Sequence, residues 1–319
     1  VRETRLGSAI LTALAAVLSM PLVTSCLASA TENDASEAPG EVRIAVNGWV
    51  GYQASAAVLT YLLENELGYR TEHVQLDEDA SWRGLDGGSV DVIVENWGHQ
   101  EQMELYGPGG TGGAADGGPN GNEGIIGWYI PKYLVEEHPE IGTVKGLKKN
   151  TDLFASPQSE DKGVFLGSDP SFVTQDQGMI NNFGLDLKIV YAGSEEEQIS
   201  EIRERYEQEE PVLFYFYQPQ WLFEDFDLVQ VEFPEYVEGC EIDPEDIGCG
   251  YPEYELNKIF RKGFTEKGGD AYRFLDKWQW TNEDQNTVAR MIADEGMDPE
   301  DAAAEWVADN SDVWQDWLP

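Results

Sequence analysis

Histidine, cysteine and basic side chains are all scarce in this chain. Of its 319 residues, three are His, three are Cys and 20 are Lys or Arg, against 61 Asp and Glu. His73, His99 and His138 lie far apart, so little is available for imidazole base chemistry or for a His-ligated metal. The motifs of common hydrolases and metalloproteases, Gly-x-Ser-x-Gly and His-Glu-x-x-His, do not occur, nor does the Gly-Lys-Ser/Thr of a phosphate loop. The formal net charge of −41 rules against nucleic acid and against direct adhesion to anionic lipid heads. So acidic a surface is best suited to high salt, where screening removes self-repulsion. The runs Glu195-Glu196-Glu197 and Glu207-Gln208-Glu209-Glu210 read as solvated helix faces. No metal and no cofactor is expected.

Long apolar runs are also lacking, with one exception at the start. Arg2 and Arg5 precede the apolar stretch Leu6 to Leu22, which Ser19 and Pro21 interrupt. Residues 1–25 therefore read as an export signal rather than a lasting membrane span. Val23-Thr24-Ser25-Cys26 resembles a bacterial lipobox, whose cysteine is acylated. Residues 26–40 are small, polar and acidic, as a tether should be. The expected location is the extracellular face of the cell membrane, with the lipid on Cys26 as the only membrane contact. That assignment leaves Cys240 and Cys249, an even pair in an exported protein, and a disulfide between them is expected. It would close the acidic loop Glu241 to Gly248.

The remainder is long enough for two lobes of ordinary domain size. Strand-like Val42–Val46, Thr71–Leu76 and Val90–Val94 alternate with helical Ala54–Leu67 and Ala80–Leu85. That βαβαβ start predicts a parallel sheet with right-handed crossovers. The glycine-rich stretch from Gly107 to Gly124 reads as a flexible surface loop. Ile125–Ile130 looks like the crossover into a second lobe holding Gly163–Gly167, Gln175–Phe183, Lys188–Tyr191, Glu195–Tyr206 and Val212–Tyr217. The chain is expected to return through Leu228–Val231 and to end in helices over Tyr254–Phe264, Asp270–Trp278, Asn282–Asp294 and Pro299–Asn310. The fold class is thus α/β, with each lobe a parallel-rich sheet flanked by helices and a ligand cleft between them. Residues 41–126 and 222–319 form the first lobe and 127–221 the second.

Trp49 and Trp97 each follow an apolar strand, ending in Asn47-Gly48-Trp49 and Glu95-Asn96-Trp97. Ligands of open α/β sheets sit at the carboxyl ends of the strands. Two indoles there, beside polar Asn and Glu, make a poor core and a good cage wall. A Trp face suits a quaternary ammonium, which has no hydrogen to donate and is held by cation–π attraction and dispersion. Large core residues are the other reading of the pair. Trp128, Trp221, Trp278 and Trp280 read as core or interlobe packing.

These motifs and others in order along the chain resemble the substrate-binding proteins of ABC importers for glycine betaine, proline betaine, choline and carnitine. The others are Gly127-Trp128-Tyr129-Ile130-Pro131-Lys132-Tyr133, Phe165-Leu166-Gly167-Ser168-Asp169-Pro170 and Tyr215-Phe216-Tyr217-Gln218-Pro219-Gln220-Trp221. Arg261-Lys262-Gly263-Phe264, Trp280-Thr281-Asn282-Glu283-Asp284 and Ala302-Ala303-Ala304-Glu305-Trp306-Val307 continue the match, so that it spans nearly everything after Gly40. The resemblance implies a two-lobed periplasmic-binding-protein fold (type II-like), a monomer that delivers a small quaternary-ammonium ligand to an importer permease. It also implies an aromatic cage of Trp49, Trp97 and Tyr217, the last in place of the family's usual Trp. Backbone amides of Gly167 and Ser168 would take the ligand carboxylate, as a turn between strand and helix can. Asp169, Glu95, His99 and Gln218 are candidates for the surrounding shell.

Choline-binding relatives often place an acid just after the first cage Trp, whereas Val50-Gly51-Tyr52-Gln53 follows Trp49. That favours a zwitterionic betaine, with choline or carnitine as the alternative and Glu95 keeping choline open. A distant alternative is an extracellular hydrolase, because Ser159-Glu160-Asp161-Lys162 reads as Ser-x-x-Lys. The companion motifs of such enzymes are missing.

Overall fold

In the computed structural model, residues 40–157 and 159–319 are described. The expected leader, Cys26 and the tether up to residue 39 lie outside them. β1 (Glu41–Val46), α1 (Val50–Asn65), β2 (Arg70–Gln75), α2 (Glu78–Gly87) and β3 (Val92–Asn96) follow one another as expected. β1 pairs parallel with both β2 and β3. The alternating apolar residues of β1 and the continuous run of β3 are buried on a sheet covered by helices. α1 is rich in Ala and Leu, and buries most of its surface against the sheet and the late helices. α2 is capped by Asp77, whose side chain accepts from the Ala80 amide.

After α3 (Gln100–Tyr106) the structure departs from the sequence reading. The glycine-rich stretch is not a surface loop from Ala114 onward. It enters β4 (Ala114–Pro131), an 18-residue strand through the middle of the sheet. Its glycines admit neighbours that a side chain would exclude. A Cβ on Gly117 would lie 2.3 Å from Phe260, and one on Gly121 would lie 2.1 Å from the Trp280 carbonyl oxygen.

α4 (Lys132–Glu137), α5 (Val144–Leu147), β5 (Gly163–Gly167), α6 (Asp176–Phe183), β6 (Leu187–Tyr191), α7 (Glu195–Glu207), β7 (Phe214–Gln218) and β8 (Leu228–Gln230) come next. β5 pairs parallel with β6 and β7. β8 pairs antiparallel with Tyr129–Pro131 of β4. Cys240 and Cys249 are bonded, with Cα atoms 6.1 Å apart. The loop they close packs on α6, where the Asn181 amide donates to the Glu245 carbonyl at 3.0 Å.

The return is made by β9 (Glu253–Arg261), where the sequence predicts a helix. Leu256, Ile259 and Phe260 have helical spacing, but from Lys258 to Phe260 both faces of this strand are covered, which hides its alternation. β9 lies between β3 and β4 and runs antiparallel to each. The sheet order is β2-β1-β3-β9-β4-β7-β5-β6, with β8 on the side of β4. Asp91 locks the first half, its carboxylate taking the guanidinium groups of both Arg43 and Arg261. α8 (Lys262–Lys267), α9 (Gly269–Lys277), α10 (Asn282–Ala293), α11 (Pro299–Asp309) and α12 (Ser311–Trp314) complete the chain. Trp128, Trp221, Trp278 and Trp280 are all buried, as expected of packing residues. Among the described residues no helix is long and apolar enough to cross a membrane.

Candidate ligand-binding site

β1, β3, β5 and β7 all end toward one cleft, and the three expected aromatic walls meet there. The cleft is lined by Trp49, Trp97, Tyr217, Tyr215, Phe172, Val173, Ile126 and Glu78. The Trp97 and Tyr217 rings come from opposite halves of the sheet. Their centroids lie 5.5 Å apart at an interplanar angle of 81°. Trp49 meets Phe172 edge-on at 5.6 Å, again across the cleft. Room for the Trp97 ring is made by Gly124 of β4, where a Cβ would lie 2.6 Å from Cζ3.

The indoles are held from below by Glu95. Trp49 Nε1 and Trp97 Nε1 donate to Glu95 Oε1 at 2.8 and 2.9 Å, and Gln285 Nε2 donates to Oε2 at 3.1 Å. Gln285 reaches in from α10 because residue 51 is Gly; a Cβ there would sit 2.2 Å from its Nε2. Its own Oε1 accepts from Asn122 of β4. Glu95 is 1% exposed, and burial pushes its carboxyl up to about 7 despite these three donors. Negative charge also accumulates from Glu195, which adds to the shift.

Glu195 is the main correction to the sequence reading. The first acid of the Glu195-Glu196-Glu197 run is buried at 4% exposure, while Glu196 and Glu197 are exposed as expected. Its Oε1 accepts from the Tyr217 hydroxyl and, at 2.8 Å, from Gln220 Nε2. Its Oε2 accepts from the Val50 amide at 2.7 Å. Burial raises this carboxyl too, to about 7. The buried carboxyls of Glu95 and Glu195 thus stand behind the rings of Trp49, Trp97 and Tyr217.

Gly167 ends β5, buried, and Ser168 follows at 3% exposure with its hydroxyl lacking a hydrogen-bond partner. Neither lines the aromatic cleft itself. Asp169 is turned to its own turn, accepting from the Ser171 amide at 2.7 Å. His99 is not among the residues lining the cleft but contacts one that is: Nε2 meets Glu78 at 3.0 Å and Nδ1 meets Asn96 at 3.0 Å. Gln218 is the last residue of β7 and sits beside the cage rather than in it. Phe172, Glu78 and Gln285 have no motif to announce them, and Tyr215 stands in the Tyr215–Trp221 stretch without being assigned to the site. Gly51 and Gly124, each facing a site residue at close approach, are the nearest to a signal.

Other chemistry is poorly supplied. Among the described residues, Cys240, Glu241 and Cys249 have metal-ligand spacing, but the two sulfurs are bonded to each other. Ser159 is fully buried, and its hydroxyl donates to the backbone carbonyls of Ser156, at 2.8 Å, and Lys162 rather than to a side-chain base, unlike an activated nucleophile.

Two half-sheets joined through β4 and β9, with an aromatic cleft at the strand ends, define a solute-binding protein of the two-lobed periplasmic class. The chain belongs to the OpuAC family, the substrate-binding domain of ABC-type glycine betaine transport systems, whose model matches residues 40–309. The family serves transporters and is not an enzyme family. A similar protein is the trimethylamine N-oxide-binding protein of Pelagibacter ubique, 24% identical over 310 residues covering 92% of this chain and 95% of that one. Lactococcal OpuAC, closed on glycine betaine, has a similar fold at TM-score 0.68 and 24% identity, over 88% of this chain and 100% of that one. An ABC-transporter choline-binding protein in complex with choline aligns at TM-score 0.69 and 19% identity, over 87% and 92% of the two chains.

Proposed function

We propose that this chain captures glycine betaine outside the cell and hands it to an importer permease. The trimethylammonium head sits among Trp49, Trp97 and Tyr217, and the carboxylate meets the amides of Gly167 and Ser168. The observation that carries this reading is the meeting of Trp97 and Tyr217 across the cleft, edge to face, above the Glu95 carboxylate. Each desolvated aromatic face contributes about 0.5–2 kcal/mol, so three faces and an anion site are enough for micromolar capture. The lobes divide near β4 and β9, with Leu228–Gln230 and the bridged loop going with the second lobe. The chain acts as a monomer, carries the Cys240–Cys249 bridge in its exported form and is held to the membrane by a lipid on Cys26.

One observation favours a second ligand class. Glu78 is the charged side chain lining the cleft, and no Lys or Arg is among the lining residues. A cation without a carboxylate, such as choline, fits that lining as well, and the relative that binds trimethylamine N-oxide points to compact head groups. Isothermal titration with glycine betaine, choline, carnitine and trimethylamine N-oxide separates these readings. Micromolar binding of glycine betaine with weak choline binding is expected. Trp97→Ala and Tyr217→Ala should each weaken binding by about 3- to 30-fold; wild-type affinity in either variant would remove that ring from the site.

A further inference from the structure

We propose that Glu195 is a closing latch: from the second lobe it caps the first helix of the other lobe, and so holds Trp49 and Tyr217 in cage geometry only when the cleft is shut. This rests on the cage reading above and concerns how that cage is assembled.

The starting point is a helix without a cap of its own. α1 begins at Val50, and its N-cap residue is Trp49, which makes no side-chain cap hydrogen bond. The first amides of a helix lack intrahelical partners, and Ser, Thr, Asp or Asn normally supplies one. An indole has a donor and no acceptor, so a residue chosen for its ring cannot do this. The missing acceptor comes from 145 residues away, as Glu195 Oε2 lies 2.7 Å from the Val50 nitrogen. A carboxylate also suits the positive end of the 16-residue α1.

Glu195 is free to serve another helix because its own start is served by Ser194, whose hydroxyl accepts from the Glu197 amide at 3.1 Å. Its two oxygens divide the work. Oε1 takes Tyr217 and Gln220 within the second lobe, and Oε2 takes Val50 of the first. Of the three bonds to Glu195, opening the cleft therefore breaks only that from Val50, and it leaves α1 capped by water. The closed state has a charge-assisted bond, shielded from solvent, that the open state lacks, and it fixes the residue next to Trp49 at the same moment as it fixes Tyr217.

The test compares wild type, Glu195→Ala, Glu195→Gln and Tyr217→Phe. Glycine betaine affinity is read by titration, and closure by the fall in radius of gyration on saturation in X-ray scattering. The midpoint of thermal unfolding is read without ligand, and amide exchange is followed at Val50. Glu195→Ala should lose about 10- to 100-fold in affinity and close incompletely, while its ligand-free midpoint falls only modestly, because Tyr217 and Gln220 lose their acceptor in either state. Glu195→Gln keeps an acceptor for the Val50 amide and should close fully. Tyr217→Phe leaves the Val50 bond in place and should also close, whatever its affinity. Wild-type affinity and closure in Glu195→Ala would overturn the latch, as would a ligand-free midpoint that falls in step with affinity, since that marks a merely structural role. If wild type binds no quaternary ammonium, the ligand reading fails and the latch is judged by exchange alone. Faster exchange at Val50 in Glu195→Ala than in wild type then supports it, and equal rates reject it.

Discussion

Trp49 and Trp97 donate their indole N–H groups to one atom, Oε1 of Glu95, at 2.8 and 2.9 Å. The rings come from the ends of two neighbouring parallel strands, so a shared acceptor fixes the angle between two walls of the cage with one side chain. Glu95→Ala would leave three donors unpaired, the buried Trp49 indole and Gln285 amide and the partly buried Trp97 indole, at a cost of about 1–3 kcal/mol for each that stays buried. It should lower unfolding stability in urea by about 2–4 kcal/mol and weaken ligand binding at least about tenfold. Glu95→Gln keeps an oxygen for the indoles and removes a buried charge. At pH 8 it should therefore be as stable as wild type while binding a cationic head more weakly. A variant that binds as tightly as wild type would show that the carboxylate only positions the rings.

The same burial predicts how stability depends on pH. Glu95 and Glu195 titrate near 7 in the fold, raised from 4.5, and Asp176 is raised by burial from 3.8 to about 6. The folded state then holds more protons than the unfolded chain between about pH 4 and 7. Stability should be greatest at the acid end of this window, fall as pH rises through it, and level off above 7. Each of the two cage carboxyls contributes on the order of 3 kcal/mol to that fall. Binding runs the other way. A cation favours the ionised carboxylates, so capture should release protons near pH 7 and tighten as pH goes from 6 to 8. Urea unfolding at a series of pH values checks the first sign. Titration in two buffers of different ionisation enthalpy checks the second.

What could be read from the sequence follows from which residues carry a visible period. β1 through β3 were legible because apolar strands and an Ala- and Leu-rich helix alternate with little interruption. Trp49 and Trp97 drew attention as large rings at strand ends, whereas Tyr217, one of four successive aromatics, came only through the family resemblance. β4 was hidden since glycine has no side chain to show alternation, and it is there so that Phe260, Trp280 and Trp97 can approach. β9 was hidden by the opposite circumstance: both faces are covered from Lys258 to Phe260, and Leu256, Ile259 and Phe260 happen to mimic a helix face. Glu195 was hidden in a run of three acids of which only the first turns inward. Its bond to the Val50 amide spans 145 residues of sequence, and no local pattern encodes that distance.

Gly124 makes the dependence of the cage on its backbone testable. A Cβ there would come within 2.6 Å of Trp97 Cζ3 and 2.9 Å of Leu256 Cδ2. Both are closer than carbon atoms pack without strain, so one side chain must move. Leu256 is fully buried between β3 and β4, whereas Trp97 is only partly buried at the cleft edge. Trp97 is thus the side chain free to yield, and its shift would break the hydrogen bond to Glu95 and displace the ring from Tyr217. Gly124→Ala should accordingly cost about 1–2 kcal/mol of stability, in the range of overpacking, while weakening ligand binding at least about tenfold. Gly118→Ala is the comparison: with φ of +71° and no atom within 4 Å of the added Cβ, it should destabilise through its backbone and leave affinity unchanged. Equal losses of affinity in the two variants would mean that the strand, rather than the seat of Trp97, governs the site.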